Sequence, residues 1–462
     1  MRKYIFFISF LLICFTVYSQ DENLQQTTLE NTSNEWSDVD ADSIFVIDTF
    51  FFNIDGKTRE SALIRTAGLK KGQELIGVSS LENYIQEKTQ LLFNQRVLEN
   101  VFLDYSYDQK NNDGKYPLDV YVNVKDTNNF LIFPYPQYST NYGFGLSLNF
   151  IHNNFLGTMS PFTTEVGYKY DEFGRHNYLF SLENTIPFRA LEKNWSFIIF
   201  NEFLYRPYLD NPLFYMNTTG LSVDLPVNTL TITPSFNIST IINQEIISSG
   251  NSICSDSHVL IFSPKIEFKH IDWIGNFRKG YSISLIQSYY YYFYNKRNDN
   301  EPWGISNGIA GIIHQNFTSF FGISTRLMFR HWGLSAVNNY AGDVLRGILD
   351  NDVCADLMFS LNLDFPFKAL SIKPSEWFKN KKLEFFNFDL HLVPVLDTAW
   401  YRHPSIEAEN FYDNILISGG IEAIIYPQKF RSFCLRISFG KMIRGNVKTG
   451  SYELHIGGSL FY

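Results

Sequence analysis

Positive charge is in short supply in this 462-residue chain: 38 Lys and Arg stand against 47 Asp and Glu, for a net charge of -9. That leaves no electrostatic footprint for nucleic acid. Cysteine is scarcer still, at 4 residues. With Cys14 set aside in the leader, Cys254, Cys354 and Cys434 are far apart, odd in number and without metal-ligand spacing. They argue against a disulfide framework and allow a single pair at most. Also missing are a G-x-S-x-G elbow, paired metal ligands and a phosphate-cradling glycine loop. The expectation is a protein that is not an enzyme and that uses neither metal nor cofactor. After the first twenty residues no run approaches the ~18 continuous apolar residues of a membrane-crossing helix.

The opening MRKYIFFISFLLICFTVYSQ joins Arg2 and Lys3 to an apolar run from Tyr4 to Phe15. This is the pattern of a secretory signal peptide over 1–19, with Val17 and Ser19 at the positions preceding cleavage. The run is shorter than the ~20 residues of a spanning helix. Ile13 is bulkier than the residue that normally precedes a lipidated cysteine, which argues against a lipid on Cys14. Residues 20–42 are polar and acidic and read as a flexible lead. A secreted chain with 17% aromatic and 18% charged residues, including 44 Phe and 28 Tyr, either builds a large soluble core or enters a membrane as a barrel. A barrel displays aromatics outward to lipid and in interfacial girdles, and it is the better fit.

Residues 43–126 form a segment of their own. SIFVIDTFFFNI reads as a strand, Gly56 as a turn, and TRESALIRTAGL as a short helix capped by Thr58. GLKKGQEL is a loop. SSLENYIQEKTQLLFNQRV is an amphipathic helix opened by Ser79 or Ser80, with Leu81, Tyr84, Ile85, Leu91, Leu92 and Val97 largely on one face. VFLDYSYD and PLDVYVNVKD are strands joined through QKNNDGKY. The predicted order is strand, helix, helix, strand, strand.

From about residue 127 to 462 the period is two. In LMFSLNLDF, Met358, Ser360, Asn362 and Asp364 oppose Leu357, Phe359, Leu361 and Leu363. In FDLHLVPVLD, Asp389, His391 and Asp397 fall on one face. In YELHIGGSLFY, Tyr452, Leu454, Ile456, Leu460 and Tyr462 share a face. A half-buried soluble sheet alternates too. Strands of nine or more residues with aromatics near their ends, closing on an aromatic, favour a transmembrane β-barrel. About 330 residues at roughly 20 per strand and turn allow about 16 antiparallel strands. The run SYYYYFYN, with Tyr289 to Tyr294, reads as a girdle rather than a stacking platform. Asp389 and His391 read as wet lumenal wall rather than catalytic groups.

These residues carry a resemblance. The strand, helix, helix, strand, strand segment resembles a single POTRA domain, and the barrel resembles the BamA/TamA superfamily of outer-membrane assembly and translocation barrels. FPYPQYSTNYGFGLSLNFIHNNFLGT is similar to that family's approach to its first barrel strand, including the phrase from Asn154 to Gly157. Leu345, Arg346, Gly347 and Ile348 match the V-R-G-F/Y signature of its sixth extracellular loop. Leu396, Asp397, Thr398 and Ala399 match its x-D-x-G segment, with Ala399 replacing the glycine. On its own, Arg346 would read as an exposed loop charge. The resemblance implies instead that the loop folds into the lumen and that Arg346 pairs with Asp397, on the wall face that periodicity assigns to Asp397. A guanidinium offers a planar fork for a carboxylate, and Gly347 would let the backbones approach.

The resemblance further implies a bacterial outer-membrane protein with its POTRA-like domain in the periplasm. Its partners would be outer-membrane lipid, unfolded outer-membrane proteins or an exported polypeptide, and periplasmic chaperones or accessory proteins. It would act at a seam between a first strand from Tyr142 to Phe150 and a last strand from Tyr452 to Tyr462. Gly143 and Gly145 beside Phe144, and Gly457 with Gly458, would weaken packing there. Leu460, Phe461 and Tyr462 would form the chain's own targeting signal. A single POTRA-like domain, where well-known members have several, favours a specialised or accessory role. A passive channel or structural surface barrel is the other reading.

Overall fold

The structure is a computed structural model that describes residues 42–140, 143–170, 176–191, 193–206, 214–227, 230–248, 251–295, 302–333, 342–349, 353–402, 414–445 and 452–457. The leader, nearly all of the polar lead, Tyr142, Gly458, Leu460, Phe461 and Tyr462 lie outside the described residues. The chain divides into two compact units. One comprises Met1–Phe50, Lys70–Gln86 and Tyr105–Val120; the other comprises Phe51–Leu69, Glu87–Asp104 and Tyr121–Tyr462.

The N-terminal elements are β1 (Ile44–Asp55), α1 (Glu60–Ala67), β2 (Glu74–Ile76), α2 (Val78–Phe93), β3 (Leu98–Tyr107) and β4 (Tyr116–Asp126), with sheet order β2-β1-β4-β3. Apolar residues alternate along β4, where Leu118, Val120, Val122 and Val124 all point into the core. In the first unit, Phe45, Tyr107 and Tyr116 meet edge-to-face or stacked, with ring centroids 5.6–5.9 Å apart.

Two expectations change here. The loop GLKKGQEL runs into β2, whose first two residues, Glu74 and Leu75, it contains; β2 is only three residues long and pairs with the start of β1. A segment that short carries no period. Thr58 does not cap α1. Arg59 holds the N-cap position without a side-chain bond, and the Thr58 hydroxyl donates to Asp126 at 2.5 Å. A carboxylate accepting two backbone N–H groups as well, those of Lys57 at 2.8 Å and Thr58 at 3.2 Å, outcompetes the local cap.

The second unit contains a closed barrel. Its strands are β5 (Phe130–Ser139), β6 (Gly143–His152), β7 (Phe162–Tyr170), β8 (His176–Ala190), β9 (Lys193–Arg206), β10 (Phe214–Val227), β11 (Leu230–Thr233), β12 (Ser235–Ser248), β13 (Asn251–Phe262), β14 (Lys265–Ile274) and β15 (Phe277–Asn295). They continue as β16 (Trp303–Asn316), β17 (Gly322–Gly333), β18 (Leu357–Asp364), β19 (Phe367–Ile372), β20 (Phe388–Arg402), β21 (Ile415–Pro427), β22 (Leu435–Arg444) and β23 (Tyr452–Gly457). Three crossings are interrupted beside a proline. Pro234 separates β11 from β12, Pro264 separates β13 from β14, and Pro366 separates β18 from β19. Each such pair is one crossing, so the barrel has 16 antiparallel strands.

No helix among the described residues is long and apolar enough to cross a membrane. The strands are suited to it instead. Leu146, Leu148, Ile238, Ile283, Ile313 and Leu327 stand exposed on the outer wall, as do many more. An apolar belt of this extent belongs in lipid, since soluble surfaces rarely carry contiguous apolar patches beyond a few hundred Å². Closure leaves no unpaired edge inside the bilayer. Tyr291 of the tyrosine-rich run lies 4.6 Å from Trp303 and 5.0 Å from Phe293, ring centre to ring centre, in an aromatic group on the wall.

The closing pair is β23 with β5, where His455 faces Ser139 and Ile456 faces Tyr138. The first strand is therefore FLIFPYPQYS. The run from Gly143 is the second strand, paired with β5 and β7, so Gly143, Phe144 and Gly145 do not lie on the closing edge. Pro134 and Pro136 disguise β5 as a linker, because proline is excluded from most strand interiors. They are tolerated for a geometric reason. Alternate residues of a strand direct their N–H groups to opposite neighbours. Thr140 donates to the Leu454 carbonyl on β23 at 3.2 Å, while the Asn129 carbonyl accepts from Asn153 beyond β6 at 2.8 Å. The register between them is continuous. By parity, the missing donors of Pro134 and Pro136 are on the side facing β23, and the β5–β6 ladder is intact.

Candidate functional site

The site is a loop segment, residues 342–349, pressed against the barrel wall. Gly342–Val344 form a single 3₁₀ turn. Arg330 of β17 holds this turn at its base, bonding both oxygens of Asp343 at 2.9 and 3.0 Å. Val344, Leu345 and Ile348 pack with Val353, Ala355, Met358, Ala399, Tyr401 and Leu416 in one buried cluster. Fully burying side chains of this size contributes about 1.5–3 kcal/mol each.

Alternation along β20 places Asp389, His391, Val393, Val395, Asp397, Ala399 and Tyr401 inward. Arg346, 2% exposed, meets Asp397 through a fork. Its Nε donates to Oδ2 at 2.9 Å, its Nη2 to Oδ1 at 2.6 Å, and its backbone N–H to Oδ2 at 2.8 Å. The sequence reading of this pair therefore corresponds to a contact in the structure. Two further buried carboxylates complete the setting: Asp364 of β18 at 2.6 Å from Nη2 and Glu422 of β21 at 3.4 Å from Nη1. Burial alone would lower the guanidinium pKa; the bond with Asp397 and the charges of Asp364, Asp397 and Glu422 outweigh it and hold the pKa well above its ordinary value. Arg436 of β22 shares Glu422 at 3.3 Å.

Gly347 sits at φ +88°, where an added Cβ would lie 2.3 Å from the Lys441 backbone nitrogen. The facing Gly440 is equally constrained, since its Cβ would fall 2.6 Å from the Gly347 nitrogen. Gly347 donates its N–H to Glu453 of β23 at 3.0 Å, and Asn362 of β18 donates to the Val344 carbonyl at 2.8 Å. The segment thus bridges β18, β20, β21, β22 and the last strand.

Sequence reasoning missed Asp364, Glu422, Gly440 and Glu453 as members of this site. A signal was present: Asp364 and Glu422 are the acidic residues of β18 and β21, and alternation turns both inward. Asp389, read as wall, accepts from Ser371 at 2.7 Å and Asn276 at 2.9 Å and pairs with Lys368 at 3.2 Å. Among the described residues no cluster of His, Cys, Asp or Glu is arranged to hold a metal ion. Cys354 and Cys434 are free thiols.

The phrase from Asn154 to Gly157 forms a second constellation. Asn154 donates to the Thr58 hydroxyl at 2.7 Å and to Asp126 at 3.3 Å, and it accepts from the Met159 backbone at 2.8 Å. Gly157, at φ +75°, accepts from Arg59 N–H at 2.9 Å; a Cβ there would lie 2.2 Å from the Lys57 carbonyl oxygen.

No protein-family model and no curated protein matches the chain. Among solved structures, CdiB from Acinetobacter baumannii matches over 89% of this chain and 73% of its own, with TM-score 0.55 and 12% identity. BamA from Haemophilus ducreyi lacking POTRA domains 1-3 matches over 90% and 84%, with TM-score 0.49 and 14% identity. CdiB from Escherichia coli matches over 92% and 93%, with TM-score 0.42 and 9% identity. In fold, this chain is a closed sixteen-strand antiparallel barrel preceded by a small α+β sheet domain, similar to the Acinetobacter CdiB and of the architecture that the resemblance to the BamA/TamA superfamily implies.

Proposed function

We propose that the protein is a bacterial outer-membrane factor that inserts other barrel proteins or exports a polypeptide, with its small sheet domain in the periplasm. The observation that carries this reading is the buried Arg346 fork on Asp397, made by the residues that match the superfamily's loop and wall motifs. In this reading the segment braces the last strand through Glu453, and the working edge is the closing pair of β23 and β5. In this reading Pro134 and Pro136 weaken the seam, because each lacks a backbone donor on the side that faces β23. An incoming strand of almost any sequence adds to such an edge by main-chain hydrogen bonding.

Depletion of the protein followed by quantitative proteomics of the outer membrane tests the proposal. Loss of a set of barrel proteins, or of one surface-exported chain, is the expected result. An unchanged outer-membrane proteome together with large, steady conductance of the purified barrel would replace it with the passive-channel reading.

A further inference from the structure

The connection between β19 and β20 is unlike its neighbours at that end of the barrel. The turns on either side of it at that end are residues 317–321 and 428–434, whereas this one is residues 373–387. Its shape is held by polar clamps. Asn387 donates to the Ser375 hydroxyl at 2.7 Å and accepts from the Ser375 backbone at 3.3 Å, and Asn380 accepts from the Lys382 backbone at 3.0 Å. Lys379, at φ +50°, reverses the chain between a single helical turn, Pro374–Trp377, and a 3₁₀ segment, Lys381–Phe386.

With the backbone thus fixed, four aromatic rings point outward: Trp377 at 63% exposure, Phe378 at 70%, Phe385 at 56% and Phe386 at 63%. Interleaved with them are exposed Lys379, Lys381 and Lys382. The two acidic residues of the turn are already engaged, Glu376 by Lys373 at 3.0 Å and Glu384 by Lys429 at 2.9 Å. The turn begins and ends on strands of the lipid-facing wall, where Leu370 stands exposed two residues before Ile372 closes β19.

We infer that residues 373–387 are an interfacial anchor that binds anionic phospholipid headgroups beside the barrel. Trp and Phe rings favour the zone between acyl chains and headgroups. Lysines presented beside them gain from a negative lipid surface, and each is expected to strengthen the segment's attraction to it about fivefold. Continuity with the apolar wall selects lipid over a soluble partner, since the rings extend the surface that the bilayer already covers.

The test uses the full-length folded protein in vesicles of mixed phosphatidylcholine and phosphatidylglycerol. The Trp377 signal is taken as the difference between the wild type and Trp377→Phe. Acyl-chain bromine is introduced on either lipid at equal mole fraction. Brominated phosphatidylglycerol is expected to quench Trp377 several-fold more effectively than brominated phosphatidylcholine. The Lys379→Gln, Lys381→Gln, Lys382→Gln triple variant, checked as folded by its heat-modifiable gel mobility, is expected to abolish the difference. Absence of quenching by either lipid would place the turn in water and assign its rings to a protein partner. Equal quenching in the wild type, or a preference that survives the triple variant, would overturn headgroup recognition by these lysines.

Discussion

Replacing Arg346 with alanine removes the one side chain around which the lumenal site is organised. The change deletes both arms of the fork on Asp397, at 2.9 and 2.6 Å, and the contacts with Asp364 and Glu422 at 2.6 and 3.4 Å. It leaves three buried carboxylates with Arg436 as the nearby cation. Removing one partner of a buried pair costs about 3–5 kcal/mol. The docked state of the segment should therefore lose roughly 100- to 5,000-fold against undocked states. Sixteen strands of backbone hydrogen bonding are untouched, so the barrel still folds. A cysteine at Ile348, which is 0% exposed, reports docking through its reaction rate with a maleimide, after Cys254, Cys354 and Cys434 are changed to serine. Arg346→Ala should raise that rate by more than tenfold. Arg346→Lys should recover little of it, because an ammonium cannot span both oxygens of Asp397. Arg346→Ala combined with Asp397→Ala should fall short of the product of the single effects. An unchanged labelling rate, or strictly multiplicative effects, would refute the buried pair as the anchor.

Three further outcomes are expected. Gly347→Ala and Gly440→Ala should each undock the segment as Arg346→Ala does, since each Cβ would meet the opposing backbone at 2.3 or 2.6 Å; normal protection of a cysteine at Ile348 in either variant would contradict this. Pro134→Thr with Pro136→Thr should return two donors to the closing edge, worth about 0.5–1.5 kcal/mol each. The temperature at which the folded gel band disappears should rise while the proposed assembly or export falls, and no rise would show that the prolines do not govern the seam. Lys125 should resist an impermeant amine label in intact cells and react once the outer membrane is breached. Reaction in intact cells would reverse the proposed orientation.

Much of this architecture was legible because a wall with one wet face and one lipid face enforces a strict period of two. Asp397 could be turned inward on that ground alone, and the structure places it there. The lumenal partners of Arg346 were harder to see. Asp364 and Glu422 sit 18 and 76 positions away in sequence, and only strand register brings them to one guanidinium. Glu453 was hidden in a strand read for its apolar face. The closing edge was misplaced because Pro134 and Pro136 look like a linker; only the direction of a ladder bond reveals that they fit a first strand. Thr58 illustrates the converse, where a sound local rule for a helix cap yields to a carboxylate, Asp126, that arrives from 68 residues away.

The proline breaks in the wall have a mechanical consequence. Val223 of β10 donates to the Pro234 carbonyl at 3.2 Å, Ser263 to Ser235 at 2.8 Å, and Gln287 of β15 to the Pro264 carbonyl at 3.1 Å. The breaks at Pro234 and Pro264 therefore fall on one line running around the wall, between continuous strands on either side. A sheet scored along such a line bends there more easily than elsewhere, as a folded card does. Changes in the cross-section of the cylinder imposed by the surrounding lipid will concentrate at this crease, and the pairing on either side of it can stay in register while the wall flexes.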